Sequence, residues 1–183
     1  MPNVERSSSL IVTLIGMDRP GLVAIVAGVV ADHQGNWVES RMAHLAGRFA
    51  GFLRVLVPTA RVEALTTALT HATAGSLTIT LERVEEVSSN FPAVAPGTSL
   101  TELELIGADH PGIVHAVTAV LLTHGANIWE FESECVAAPM TSTPLFKAKA
   151  QIELPEGGQL AALRNDLEAI AADLMVELRL SPR

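Results

Sequence analysis

Apolar residues fall at every second position at Val12 and Leu14, and again at Leu53, Val55 and Val57, the period of a half-buried strand. Between these runs, Leu22, Val23, Val26, Val29 and Val30 keep the spacing i, i+1, i+4, i+7, i+8, which is one face of a helix. Their β-branched members cost roughly a few tenths of a kcal/mol each in helix propensity, which burial of a full stripe overrides. A strand begins at about Trp37, just after Asn36, and the strand that follows it ends at Pro58. Val62, Leu65 and Leu69 mark a second helix, and Leu77, Ile79 and Leu81 a last strand. The predicted order is βαββαβ.

The same order comes round again. Residues 14–36 align with residues 105–127 without a gap, and 11 of the 23 positions are identical. Leu103 and Leu105 take the place of Val12 and Leu14, and Ile113, Val114, Val117, Val120 and Leu121 repeat the helical stripe. Ala150, Ile152 and Leu154 alternate toward Pro155; Leu160, Leu163 and Leu167 form the second helix, and Leu174, Val176 and Leu178 the last strand. One apolar face per helix requires both helices of a copy to cover the same side of its sheet. The expected fold is therefore α+β, two ferredoxin-like units, each a four-stranded antiparallel sheet with two helices on one face. Residues 1–84 and 100–183 are the expected domains. Residues 85–99, with Pro92, Pro96 and Gly97, read as the linker. Units of this size sit near the lower limit for a self-sufficient core, so pairing or dimerisation is expected.

Charge and composition narrow the functional classes. A net charge of −8 and the lack of a basic run argue against direct nucleic-acid binding, which needs clustered Lys and Arg. With no Tyr and 4% aromatic residues, stacking of bases on a ferredoxin-like sheet is not expected either. Cys135, the single cysteine, fits a reducing cytoplasm and reads as a buried or idle thiol with no evident base nearby. The start, MPNVERSSS, lacks the order of a secretory signal, and Leu22–Ala31 is about half the length of a membrane span. A cytoplasmic protein with no membrane contact is the expectation.

The repeated turn carries the candidate chemistry. GMDRPGL (residues 16–22) returns 91 positions later as GADHPGI (residues 107–113). Asp18 and Asp109 stand where a helix N-cap is expected, with Pro20 and Pro111 in the first helical turn. One reading is simply a sound exit from a strand into a helix. The other is a carboxylate site at the partly positive helix N-terminus, and both stand at this point. Asn36 and Asn127, at the head of the next strand, lie at the opposite end of the sheet if the strands are parallel. Neither can meet its own turn. Each could meet the turn of another copy joined edge to edge.

The pattern G-x-D-x-P-G-[LI], an apolar helix, then G-N-W-V-E or A-N-I-W-E resembles the ACT domain, a ferredoxin-like module that binds amino acids and related small molecules. The likeness covers both halves. It implies ligand sites between paired domains. Asp18, Arg19, Pro20, Gly21 and Leu22 would act with Asn127 and Ile128, and Asp109, His110, Pro111, Gly112 and Ile113 with Asn36 and Trp37. Two tandem ACT domains without a catalytic domain resemble the glycine cleavage system transcriptional repressor group. The T-P-L-F…I-x-L-P run of the second half, with about six extra residues ahead of it, resembles that group's second domain. The resemblance implies a non-enzymatic sensor of glycine or a similar amino acid that contacts a LysR-type activator without touching DNA, needing no cofactor. A regulatory subunit of an amino-acid metabolic enzyme is the alternative, and a purely structural pair of domains a third reading. The two sites cannot be equivalent, since Met17 and Arg19 become Ala108 and His110. Arg19 makes the first turn the more firmly cationic and the first choice for a carboxylate.

The histidines point to no metal. His110 and His115 are five apart and no cysteine or acidic cluster joins them. His33 and His124 fall at matching helix C-termini, where an imidazolium is favoured by the dipole. On the outer sheet face the first copy shows Ile11, Phe52 and Leu56 where the second shows Glu102, Lys149 and Glu153. That apolar face is a candidate surface for self-association or a partner.

Overall fold

In the computed structural model the described residues are 6–84, 100–137 and 144–182. The expected linker, 85–99, and the run 138–143, where the extra residues of the second half fall, lie outside them. The chain divides into two compact units, Met1–Phe91 and Pro92–Arg183.

In the first unit β1 (Ser7–Met17), α1 (Leu22–Asp32), β2 (Asn36–Leu45), β3 (Arg48–Pro58), α2 (Val62–Ala72) and β4 (Leu77–Val84) follow in order. The second has β5 (Leu100–Ala108), α3 (Ile113–Thr123), β6 (Asn127–Ala137), β7 (Pro144–Glu153), α4 (Leu160–Leu174) and β8 (Val176–Pro182). The sheet orders are β2-β3-β1-β4 and β6-β7-β5-β8, antiparallel at each pairing. This is the expected α+β ferredoxin-like fold, twice.

Each unit buries its own core. Leu10, Val12 and Leu14 of β1 meet Leu53, Val55 and Val57 of β3, and Leu22, Val26, Val30, Leu65 and Leu69 close over them from the helices. In the second unit Leu103, Leu105 and Ile152 lie under Ile113, Val117, Leu121, Leu163 and Leu167. The helical stripe is narrower than its sequence pattern. Val23 and Val114 are 43% and 41% exposed, because the line i, i+4, i+8 already fills the contact and the i+1 position stands about 100° to one side.

Two expected boundaries move. Leu174 ends α4 and does not open the last strand. In the first unit Thr73 caps α2 and Gly75 (φ 74) carries the turn, whereas α4 runs on and stops at Met175, itself left-handed at φ 54. The strand expected to reach Pro155 ends at Glu153, and Leu154 packs half-buried against the core.

Candidate functional site

The helix after each repeated turn begins later than expected. Leu22 and Ile113 are the first helical residues, and the caps are Gly21 and Gly112, left-handed at φ 94 and φ 100, with no side-chain cap bond. Asp18 and Asp109 are thus not N-caps, and Pro20 and Pro111 precede the helix. The aspartates instead tie the turn to the neighbouring hairpin: the Asp18 amide donates to the carbonyl of Gly47, in the turn between β2 and β3 (3.2 Å), and the Asp109 amide to that of Pro144, at the start of β7 (2.9 Å). With Gly21 and Gly112 bare, the opening N–H groups of α1 and α3 face a turn without a side-chain acceptor, the arrangement that favours an anion.

Asp18, Arg19, Pro20 and Gly21 are exposed, as are Asp109, Pro111 and Gly112, while His110 is half-buried. Leu22 and Ile113 are 3% and 2% exposed, so their side chains belong to the core and only their backbone faces the turn. Trp37 and Ile128 likewise pack against their cores. A bulge follows each of them, between Trp37 and Glu39 and between Ile128 and Glu130. In the second unit it carries the exposed Trp129, whose indole N–H donates to Glu153 (2.5 Å).

Register separates the turn of each unit from its Asn: Met17 pairs with Arg48 at one end of β3, and Asn36 with Leu56 at the other. Ala108 pairs with Leu145 and Asn127 with Glu153 in the same way. The intervening eight residues of strand span about 26 Å. Turn and Asn of one unit do not meet, as expected from parallel β1 and β2.

Cross-strand contacts add two residues that sequence reading missed. His44, near the tail of β2, places Nε2 3.7 Å from the Asp18 carboxylate. Cys135 holds the corresponding position on β6, beside the Asp109 carboxylate. Their shared 91-residue offset was the available signal. Cys135 is exposed, not buried. Desolvation first, and then the Asp109 carboxylate, push its thiol pKa up, which keeps it from being a thiolate nucleophile.

His110 is unlike Arg19 in more than charge. Its Nδ1 lies 3.1 Å from the Pro111 carbonyl and its Nε2 3.1 Å from the Leu174 carbonyl at the end of α4. Carbonyls only accept, so satisfying both requires two N–H donors, the imidazolium. The Pro111 bond and then the Leu174 bond raise the His110 pKa above 6.5. The stabilisation from this brace is therefore complete below pH 6.5 and is lost as pH rises through the raised folded value. An NMR titration of the His110 ring is expected to give a midpoint above 6.5, and His110→Gln to remove that part of the pH dependence of stability. A midpoint at or below 6.5 would show that the brace is absent.

His33 and His124 are the C-cap residues of α1 and α3. His33 Nδ1 lies 2.9 Å from the Val29 carbonyl, and His124 Nε2 2.8 Å from the Asp166 carboxylate. On the outer sheet faces, Phe52 is 50% exposed, with Ile11 and Leu56 half-buried beside it. The matching face of the second unit is ionic, with Lys149 2.8 Å from Glu102 and 3.5 Å from Glu104. Among the described residues no group of His, Cys, Asp and Glu is arranged to hold a metal, and no helix is long and apolar enough to cross a membrane.

The family model of the ACT domain matches residues 8–82. Among solved structures, the chain is similar to an unknown protein from Galdieria sulphuraria, at 31% identity over 97% of this chain and 99% of that one, with a TM-score of 0.84. It also shares its fold with a candidate glycine cleavage system transcriptional repressor, at 17% identity over 97% and 98% of the two chains, with a TM-score of 0.67. No curated protein matches the chain significantly.

Proposed function

The chain belongs to the ACT-domain family, whose domains are regulatory, and from that premise we propose that it is an amino-acid-sensing regulatory protein with no catalytic activity of its own. The observation that carries this reading is the exposed turn at the head of α1 and again of α3, with a bare left-handed glycine as its cap and an exposed Asn at the far end of the same sheet. A half-site at each end of a unit suits a ligand held between two ACT units, the turn of one taking the carboxylate and the Asn of the other the remaining polar groups. Residues 1–84 and 100–183 serve as the two domains in this reading.

The ligand is a small amino acid, glycine or one close to it. The output is contact with a transcription factor such as a LysR-type activator, controlling glycine cleavage or related amino-acid metabolism in the cytoplasm. The fold shared with the candidate repressor and the acidic charge support this direction over DNA binding. The protein works as a homodimer, with the apolar face around Ile11, Phe52 and Leu56 available for self-association. The ligand shifts these contacts only through its different affinity for the two assembly states.

A thermal-shift panel of the common amino acids on the full chain tests the sensing step. A ligand at 100 times its Kd stabilises by about 2.7 kcal/mol, a rise in Tm of several degrees. No shift with any amino acid, glycine included, would remove the sensing reading. Capture of a metabolic enzyme in place of a transcription factor would redirect the output to a regulatory-subunit role.

A further inference from the structure

The two units set the same asparagine among different neighbours. In each, the strand after the first helix opens on an Asn and soon takes a bulge, at Val38 in the first unit and at Trp129 in the second. Across the sheet Asn36 faces Leu56, whereas Asn127 faces Glu153. The first unit therefore places two aliphatic side chains at its Asn end, and the second an indole and a carboxylate.

Trp129 and Glu153 hold each other. The indole N–H donates to Glu153 Oε2 at 2.5 Å, which fixes the carboxylate on the Asn127 rung while the Trp129 side chain stays 45% exposed. That bond needs an acceptor but no charge, since a glutamine oxygen would serve an indole too. The charge of Glu153 is left over. On its own rung it has Asn127 to one side and Leu100 to the other. Lys149, four residues back on the same face of β7, is taken by Glu102 at 2.8 Å and Glu104 at 3.5 Å. Among the described residues no cation pairs with Glu153. Glu153 is half-buried, so a cation there is attracted through less water than at a fully exposed carboxylate.

We propose that the head of β6 in the second unit holds the α-ammonium group of the amino acid, with Glu153 as its acceptor and Trp129 as the residue that positions that carboxylate. This deepens, and rests on, the amino-acid-sensing reading. A primary ammonium carries three N–H donors, and the Glu153 carboxylate with the Asn127 amide oxygen can accept two of them. In the first unit Leu56 and Val38 offer an ammonium no acceptor, and the next carboxylate along, Glu39, stands opposite Arg54. The two Asn ends are thus unequal, and a chain has one strong amino-acid site in place of two.

Glycine and glycolate share a carboxylate and differ in the ammonium, as do alanine and lactate. Calorimetry on the full chain is expected to give one strong site per chain. Each amino acid should bind at least about tenfold more tightly than its hydroxy acid, as for one hydrogen bond between charged groups. Glu153→Gln keeps an acceptor for the indole and removes the charge. It is expected to weaken glycine about tenfold or more and to leave glycolate unchanged. The wild-type chain gives a second reading: the Trp129 indole N–H signal, identified by its loss in Trp129→Phe, should move saturably with glycine and follow the calorimetric curve. Glycine binding undiminished by Glu153→Gln, two equal sites per chain, or an indole signal that stays still at saturation overturns the ammonium site and leaves the sensor standing. Binding by no amino acid removes the sensor and this half-site with it.

Discussion

Gly16→Ala is expected to destabilise the first unit by about 3 kcal/mol, the upper end of what overpacking a core costs. Gly16 lies on the inner face of β1, paired with Leu77. A Cβ built on it would lie 2.0 Å from the Ser76 carbonyl oxygen and 2.9 Å from the Leu77 side chain. The Ser76 carbonyl cannot easily give. The Ser76 amide and hydroxyl both donate to the Thr73 carbonyl, the Leu77 amide does too, and the buried Thr73 hydroxyl donates to the Leu69 carbonyl. The strand or the turn must move as backbone. Gly107 meets Val176 in the same way, its Cβ falling 2.5 Å from a Val176 side-chain atom. Gly21→Ala is the control: nothing lies within 4 Å of its Cβ, and only the left-handed backbone objects, at about 1–2 kcal/mol. Urea denaturation should place the Gly16→Ala midpoint lower by about 1 M or more, given typical slopes for small proteins. An unchanged midpoint would contradict the close approach.

That outcome bears on the meaning of the repeated motif. Of its two glycines, the first serves packing between β1 and the entry to β4, and the second shapes the turn. The ligand-facing part shrinks to the exposed Asp-x-Pro and the helix amides behind it. Strand alternation and the i, i+4 lines were legible because burial imposes a period on the sequence, so Val12, Leu14, Val26 and Leu65 fall in the core as their spacing predicts. The start of α1 was not legible. Asp-x-Pro offers the composition of a cap, while the choice of Gly21 depends on how the chain leaves β1, with the Asp18 amide tied to Gly47. His44 beside Asp18 and Cys135 beside Asp109 were equally hidden, since a contact across 26 residues depends on strand register. A one-residue bulge near the head of β2 or β6 resets that register. The brace from His110 to Leu174 is hidden for the same reason: 64 residues separate the partners.

Leu53→Ala is expected to cost about 3–4 kcal/mol, because Leu53 is fully buried and its immediate rung partner toward the edge is Ser40, too small to fill the gap. The second unit lives with alanine at this rung by placing Phe131 where the first has Ser40. Ser40→Phe should therefore be near neutral or mildly destabilising on its own, where Leu53 already occupies the space, and should recover about 1 kcal/mol or more in the Leu53→Ala background. The recovery will be incomplete, as Phe131 itself stays partly exposed. A double-mutant cycle by chemical denaturation measures the coupling directly. Strict additivity would mean that the two rungs are not alternative fillings of one space. A clear coupling means that the two copies fill one inner-face position from different strands, the first from β3 and the second from β6.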